Sequence, residues 1–211
     1  MRLIRVVERT IMSWTEPDWN QHRPTDAEVK WMWQSLALRP MDSPPDTEPY
    51  LAELRRINLN GAVIFGLFQI EGNRSLDWFA SRNRWDEVDF FPHLLSHSAI
   101  RQKWPELVEK IKEEGFPDFK WESSLTLDGE LARSLVIGGA YERFKGPPRE
   151  AKNLAARFCD ALFEDRFLDI EVFWCWYAWS GWFHDVAWDR TCVIIDKRRR
   201  SVGLLCSTDT D

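Results

Sequence analysis

Tryptophans are concentrated near the carboxyl end of the chain, where they could form either a core or a binding site. Five of them lie within 15 residues, in the segment FWCWYAWSGWFHDVAWD that covers residues 173–189. An indole ring buries a large apolar area and keeps one N–H group that needs a partner, so it is common in cores and at interfaces. We expect Trp174 and Trp176 to be core residues, because they fall inside a predicted strand.

The second half of this segment connects two predicted strands and carries the candidate site. Ser180 and Gly181 are turn-forming residues, so the tryptophans around them are expected to reach solvent. A histidine and two aspartates accompany these tryptophans and could supply polar specificity. The candidate partner- or ligand-binding residues are Trp179, Trp182, His184, Asp185, Trp188 and Asp189.

His184 and Asp185 have the residue types of an acid–base pair. Adjacent side chains seldom converge on one point, however. Ser180 lies in W-S-G-W rather than in the G-x-S-x-G turn that exposes a nucleophilic serine. A structural alternative is that Asp185 and Asp189 cap turns while His184 packs against indole rings. The sequence therefore predicts no catalytic residues, and it leaves catalysis by His184 and Asp185 as an alternative.

Asp89, His93 and His97 are spaced by four residues, the separation at which helical residues share one face and can bind one metal ion. Pro92 permits a helix only from about its own position, which leaves Asp89 outside that helix. No H-E-x-x-H motif and no fourth ligand accompany the two histidines. We therefore expect no metal site.

Other sequence signals of cofactors are also missing. The four cysteines are at least 14 residues apart and form no C-x-x-C motif, so we expect reduced, buried thiols. The sequence contains neither of the glycine-rich motifs G-x-x-x-x-G-K-[ST] and G-x-G-x-x-G that cradle phosphates. The sequence therefore predicts no cofactor.

The charge balance of the 211 residues favours some partners over others. Thirty-four acidic and 28 basic residues give a net charge of −6, which disfavours non-specific binding to nucleic acid and favours a basic protein partner. The longest uncharged run, residues 57–70, is too short to cross a bilayer. Charges at Arg5, Glu8 and Arg9 interrupt any signal-peptide core, so we expect no membrane association and a cytoplasmic location.

Helices are predicted mainly in the first three quarters of the chain. Thr25 and Glu28 have capping-box spacing ahead of an apolar stripe, which predicts a helix that extends to about Leu38. Gly138 and Gly139 weaken the prediction of one later helix. The other predicted helices span Pro49–Ile57, Ser75–Asn83, Pro105–Glu114, Gly129–Phe144 and Pro148–Phe163.

Strands are predicted mainly at the carboxyl end. Leu168–Ala178 is apolar on both faces and indicates a central strand. Arg190–Asp196 and Ser201–Ser207 indicate a hairpin that, with Arg199 at its apex, places Cys192 opposite Cys206. Ala62–Ile70 indicates a buried strand and Leu3–Met12 an additional one. The acidic tail of residues 207–211 is predicted to be a frayed end.

These elements indicate one globular α+β domain over residues 1–211, in which the helices pack on a C-terminal antiparallel β-meander. In size, acidity and aromatic content the chain resembles small bacterial immunity proteins that neutralise toxins. That resemblance implies a cytoplasmic protein that occludes a basic partner, with no turnover of substrate. The alternatives are a small-molecule-binding protein or enzyme with a tryptophan-lined pocket that uses His184 and Asp185, and a subunit whose aromatic patch forms a homodimer.

Overall fold

A computed structural model describes residues 14–109, 111, 116 and 118–211 of the chain. Its centre is a six-stranded sheet whose neighbouring strands are all antiparallel. The strands are β1 (Leu38–Met41), β2 (Ala62–Ile70), β3 (Lys120–Ser123), β4 (Ile170–Cys175), β5 (Arg190–Asp196) and β6 (Ser201–Thr208). They lie in the order β1-β2-β6-β5-β4-β3, so β5 and β6 form the middle of the sheet.

Helices cover both faces of this sheet. In the part of the chain that the structure describes, none of the helices is both long and apolar enough to cross a membrane. The α-helices are α1 (Asp26–Ser35), α2 (Glu48–Ile57), α3 (Arg74–Ala80), α4 (Phe90–Leu95), α5 (Ser98–Lys103), α6 (Pro105–Val108), α7 (Leu127–Ile137) and α8 (Pro148–Phe163). Short 3₁₀ turns occupy Pro45–Thr47, Asp86–Val88, Ser124–Thr126 and Phe167–Asp169.

Strand β4 shows why the sheet needs a helical layer on each side. Successive side chains of a strand point to opposite faces. Val172 and Trp174 pack into the core beneath α2, α7 and α8, whereas Phe173 and Cys175 pack into the core formed with α1 and α3–α6. All six residues of β4 are buried. The predicted central strand with two apolar faces is therefore confirmed, and it divides the interior into two cores.

The α+β class is confirmed, and the C-terminal meander β4-β5-β6 forms the centre of the sheet. The predicted strand Ala62–Ile70 is also confirmed with the same bounds, as β2. Strand β1 is not among the predicted strands, and it contains Pro40. Proline cannot donate to a ladder hydrogen bond and is tolerated on edge strands, and β1 occupies an edge of this sheet.

Helix starts follow the sequence better than helix ends do. The capping box is present: Glu28 N donates to Thr25 Oγ1, and Thr25 N donates to Glu28 Oε2 at 2.8 Å. Helix α8 has the predicted bounds. The prediction that α7 continues to Phe144 is wrong, because Gly138 ends it with a left-handed φ of 85°. The helix predicted over Pro105–Glu114 ends earlier, at Val108 of α6, because Glu109 lies in a turn and Ile111 forms an isolated β-bridge with Ser180. The predicted strand at residues 3–12 lies outside the described residues.

The predicted hairpin exists, but its register is one residue away from the prediction. Asp196 pairs with Ser201, so residues 197–200 form the turn. Cys192 consequently pairs with Leu205, and Cys206 pairs with Thr191. Because a one-residue slip moves a side chain to the other face, the two thiols lie in different cores.

The acidic tail is anchored rather than frayed as far as Asp209. This residue is fully buried, and its two carboxylate oxygens accept hydrogen bonds from different segments. Asn60 N donates to Oδ1 at 3.0 Å, and Ala140 N donates to Oδ2 at 2.7 Å. The carboxylate thus ties the turn before β2 to the loop after α7, a role that the composition of the tail did not suggest.

The observed register predicts that Cys192 and Cys206 do not cross-link. Burial raises the pKa of both thiols, and a disulfide needs Cβ atoms about 3.8 Å apart rather than on opposite faces of a sheet. Mild oxidation of the native protein, followed by mass spectrometry under non-reducing conditions, should leave this pair unlinked. A Cys192–Cys206 disulfide in folded protein would contradict the register.

Two glycines offer a matched test of the close approach at the tail. A Cβ at Gly61 would lie 1.9 Å from the carbonyl oxygen of Thr208, whereas a Cβ at Gly129 would meet nothing within 4 Å. We expect Gly61→Ala to lower the free energy of unfolding by about 2–3 kcal/mol. Gly129→Ala, in the first turn of α7, should raise it by about 0.5 kcal/mol. Urea denaturation of both variants measures this, and equal effects would contradict the packing.

Candidate functional site

Two of the six predicted site residues are structural. Trp179 is only 1% exposed, and its Nε1 donates to Thr191 Oγ1 at 2.9 Å. Asp189 is also buried, and it accepts hydrogen bonds from Val186 N and Thr208 Oγ1. The expectation that Trp179 reaches solvent is wrong, whereas the hydrogen bond from Val186 N agrees with the alternative that Asp189 caps a turn. Both side chains fasten the connection between β4 and β5 onto the sheet.

The other four predicted residues are accessible to different degrees. Trp182 is half-buried and packs edge-on against Phe183, with ring centroids 4.9 Å apart. Trp188 is also partly exposed, while His184 and Asp185 are exposed. Two of the six residues are buried and four are accessible, so a binding role for these four stays a prediction.

The tryptophans of β4 behave differently from each other. Trp174 is buried as predicted, but Trp176 is 39% exposed because the strand ends at Cys175. The two indole rings are nearly parallel, with an interplanar angle of 11° and centroids 6.0 Å apart. The prediction of Trp176 as a core residue is therefore wrong. Its ring lies partly at the surface and stacks on the buried ring of Trp174.

A cavity of about 270 Å³ lies beside these two rings. Helix α7 forms one wall, the end of β4 forms another, and the start of β5 closes it. Its lining residues are Glu130, Arg133, Ser134, Ile137, Trp174, Trp176, Ala187 and Arg190. An inner recess shares Ser134, Trp174 and Arg190 with this cavity and continues towards Tyr50 and Ser207. We refer to the cavity and its recess together as the Arg190 cavity.

The alternation of side chains along β5 determines which face of the sheet carries Arg190. Arg190, Cys192 and Ile194 alternate along the strand, and the last two belong to the core beneath α2, α7 and α8. The Arg190 side chain therefore points to the same buried face of the sheet. Burial lowers its pKa, with a smaller opposing effect from Tyr50. The guanidinium nevertheless stays charged, because arginine does not lose its proton in proteins.

Buried cations elsewhere in the described residues have anionic partners. Arg200 contacts Asp77 at 2.6 Å, Arg166 contacts Asp196 at 2.8 Å, and Lys197 lies 4.0 Å from Glu171. Arg190 makes no such ion pair and no side-chain hydrogen bond with the residues described. Arg190 is only half-buried, and it differs from these three cations because the described fold gives it no anionic partner.

The Arg190 cavity contains further polar groups, one of which has no partner among the described residues. The indole Nε1 of Trp174 is buried and has no hydrogen-bond partner among the described residues. Tyr50, in the recess, donates its hydroxyl hydrogen to the carbonyl oxygen of Leu131 at 3.2 Å. Arg133 and Glu130 form an ion pair at 3.4 Å at the mouth. The cavity thus combines hydrogen-bond donors with two aromatic walls.

Arg190 was missed in the sequence, although a signal for it exists. Its spacing of two and four from Cys192 and Ile194 places a cation in the inward phase of a strand that is otherwise apolar on that face. A charge in such a phase is rare unless it is paired or functional. This pattern lies directly after the tryptophan-rich segment and is separate from it.

A second, larger cleft of about 590 Å³ lies between α1, α3 and α4. Trp33 and His93 line it and stack with ring centroids 4.2 Å apart. His97 lies outside this stack and caps α5, where its Nδ1 accepts a hydrogen bond from Ala99 N at 3.1 Å. His93 and His97 belong to different elements, so their sequence spacing does not give a shared face. Within the described residues, no group of three potential ligands could hold a metal ion.

Comparisons with known proteins add no assignment to this geometry. No protein-family model, curated protein or solved structure matches the chain. The functional argument therefore rests on the Arg190 cavity, the larger cleft and the exposed side chains around them.

Replacing a buried tryptophan and a partly exposed one by alanine should lower the free energy of unfolding by different amounts. Trp179→Ala removes a buried, hydrogen-bonded ring and should lower the free energy of unfolding by about 3–5 kcal/mol. Trp176→Ala removes a partly exposed ring and should cost no more than about 1 kcal/mol. Chemical denaturation of the two variants makes the comparison. A larger loss for Trp176→Ala would show that this ring is structural.

Proposed function

We propose that the protein is a protein-binding module that occludes its partner, and that the partner docks over the Arg190 cavity. One observation carries this proposal: a half-buried arginine with no anionic partner in the described part of the fold lies beside a group of exposed apolar side chains. Ile137 is 45% exposed, Trp176 39% and Tyr177 64%, and the first two line the cavity itself. We call these three residues the apolar rim.

The size of the cavity favours a partner protein over a small molecule at this position. Pockets that bury most of a small molecule usually measure about 300–1,000 Å³. The 270 Å³ here falls below that range and suits a single inserted side chain. Exposed apolar residues around an anchoring pocket are typical of protein interfaces, where aromatic residues and arginine carry much of the binding energy.

The net charge and the local charge support different features of the partner. The net charge of −6 favours a partner that is basic overall, because opposite charges accelerate association. The lining of the Arg190 cavity has two arginines and one glutamate, a net formal charge of +1. A basic partner that inserts an acidic group would satisfy both. A toxin neutralised in the cytoplasm is one partner of this kind and remains part of the proposal.

Small-molecule binding is the second candidate function, and the larger cleft favours it. At about 590 Å³ that cleft falls within the usual size range for ligands, and Val29, Trp33 and Phe79 supply apolar lining. Asp89 and His93 could add polar specificity there. This candidate keeps a tryptophan-lined pocket but replaces His184 and Asp185 by residues of another part of the fold. A ligand whose thermal stabilisation of the protein is abolished by Trp33→Ala would support it.

The protein-binding proposal is tested with a purified pair. Cross-linking in an extract of the source organism identifies candidate partners, and isothermal titration calorimetry then measures each one with purified proteins. We expect Trp176→Ala to weaken binding at least tenfold, because a partly exposed ring at an anchor pocket is a typical hot spot. Ile137→Ala should weaken it by a smaller factor.

Trp31→Ala provides the matched control. Trp31 is 63% exposed on α1 and lies outside the Arg190 cavity, so its loss removes the same side chain without touching the rim. Binding should be unchanged in this variant. Equal losses for Trp176→Ala and Trp31→Ala, or no loss for either, would contradict docking over the Arg190 cavity.

A further inference from the structure

We infer that the Arg190 cavity accepts the carboxylate of an aspartate or glutamate side chain from the partner surface that covers it. This inference rests on the proposed function and gives the chemistry of the group that the partner inserts. The argument depends on the unpaired Arg190 guanidinium, the unpaired Trp174 Nε1 and the net charge of the cavity lining.

A partner that covers the cavity would remove the half-buried Arg190 guanidinium from water, and acceptor oxygens must compensate for that loss. The fold supplies such a partner for Arg200, Arg166 and Lys197 but not for Arg190. A carboxylate matches the planar fork of donors that a guanidinium presents and can accept two parallel hydrogen bonds. An inserted aspartate or glutamate thus provides what the fold lacks.

The charge of the lining selects a monoanion. Glu130 forms an ion pair with Arg133 at 3.4 Å, so the second arginine is already partly neutralised. Glu130 also lies close enough to Arg190 to affect its pKa, and Arg133 acts on it in the opposite direction. A net formal charge of +1 balances a carboxylate, whereas a phosphate dianion would leave excess negative charge beside Glu130.

The source of the carboxylate is a side chain rather than a chain end or a free metabolite. The apolar rim extends over α7 and the residues after β4, which a continuous partner surface covers better than a small molecule does. An acidic side chain surrounded by apolar contacts on that surface would be desolvated together with Arg190. Water exclusion by such a rim strengthens the ion pair.

The first test is thermal unfolding of the free protein. Arg190→Met removes a half-buried cation that has no partner in the described fold and keeps a side chain of similar length, so the midpoint of unfolding should change by no more than about 2 °C. Arg157→Met changes an exposed arginine of α8 and serves as the matched control. A fall of several degrees for Arg190→Met alone would show that Arg190 stabilises the fold, and would overturn the inference.

The second test uses a small probe in place of the partner. N-acetyl-glutamate N-methylamide is titrated into the protein while the NMR signal of the Trp174 indole N–H is followed. We expect saturable shifts that the corresponding glutamine compound, which lacks the charge, does not produce. Arg190→Lys should weaken the response at least tenfold because lysine lacks the planar fork, and Arg157→Gln should leave it unchanged.

Further probes distinguish other sources of an anion. A peptide with a free C-terminal carboxylate and no acidic side chain tests a chain end, and phosphoserine amide tests a phosphate group. Stronger binding of either than of the glutamate compound would overturn the assignment to an acidic side chain. No response to any anion, in protein that is folded by circular dichroism, would likewise overturn it.

Binding measurements with a purified partner distinguish the proposed function from the inference about the inserted carboxylate. Once a purified partner is known, its affinity is measured against wild type, Trp176→Ala and Arg190→Met. Loss of affinity for both variants supports the proposed function and the inference together. Loss for Trp176→Ala without loss for Arg190→Met keeps the docking surface but rejects the carboxylate. No loss for either rejects both.

Discussion

The burial of both faces of the central strands is the constraint on which the rest of the structure depends. The middle strands of the sheet lie between two helical layers. Successive side chains of β4 and β5 therefore face one or the other of two cores. Apolar side chains fill these cores by packing. Polar side chains need a hydrogen-bonding or ionic partner close by, because a buried polar group otherwise stays unsatisfied.

Glu171 shows how the fold meets this requirement with a neighbour. Its side chain accepts a hydrogen bond from Trp85 Nε1, and Lys197 lies close by on the turn after β5. Burial raises the pKa of Glu171 and lowers that of Lys197, while each charge opposes the shift of the other. Arg190 is half-buried on the same sheet and has no equivalent partner among the residues described. This contrast within one sheet gives Arg190 its functional interest.

The parts of the fold that the sequence predicted well are those determined by local chemistry. The capping box at Thr25, the stripe along α8 and the two-faced apolar strand β4 each depend on side chains close in sequence. Features that depend on distant contacts were predicted poorly. The hairpin register depends on a four-residue turn, and β1 depends on pairing with β2 despite Pro40.

The candidate site shows the same division. Composition indicated that the carboxyl-terminal tryptophans matter, but it could not distinguish Trp179, which fastens a connection, from Trp176, which borders a cavity. That distinction depends on where β4 ends and how the following residues fold back. The cavity also needs α7, which ends more than 50 residues before β5 begins, and no local pattern joins that helix to β5.

The buried carboxylate of Asp209 has a consequence for how the fold tolerates substitution. One side chain holds two loops that are about 80 residues apart in sequence, through the amides of Asn60 and Ala140. A change at this position would release the turn before β2 and the loop after α7 at once, and it would leave two backbone amides without their acceptors. The order of two distant loops therefore depends on a single side chain.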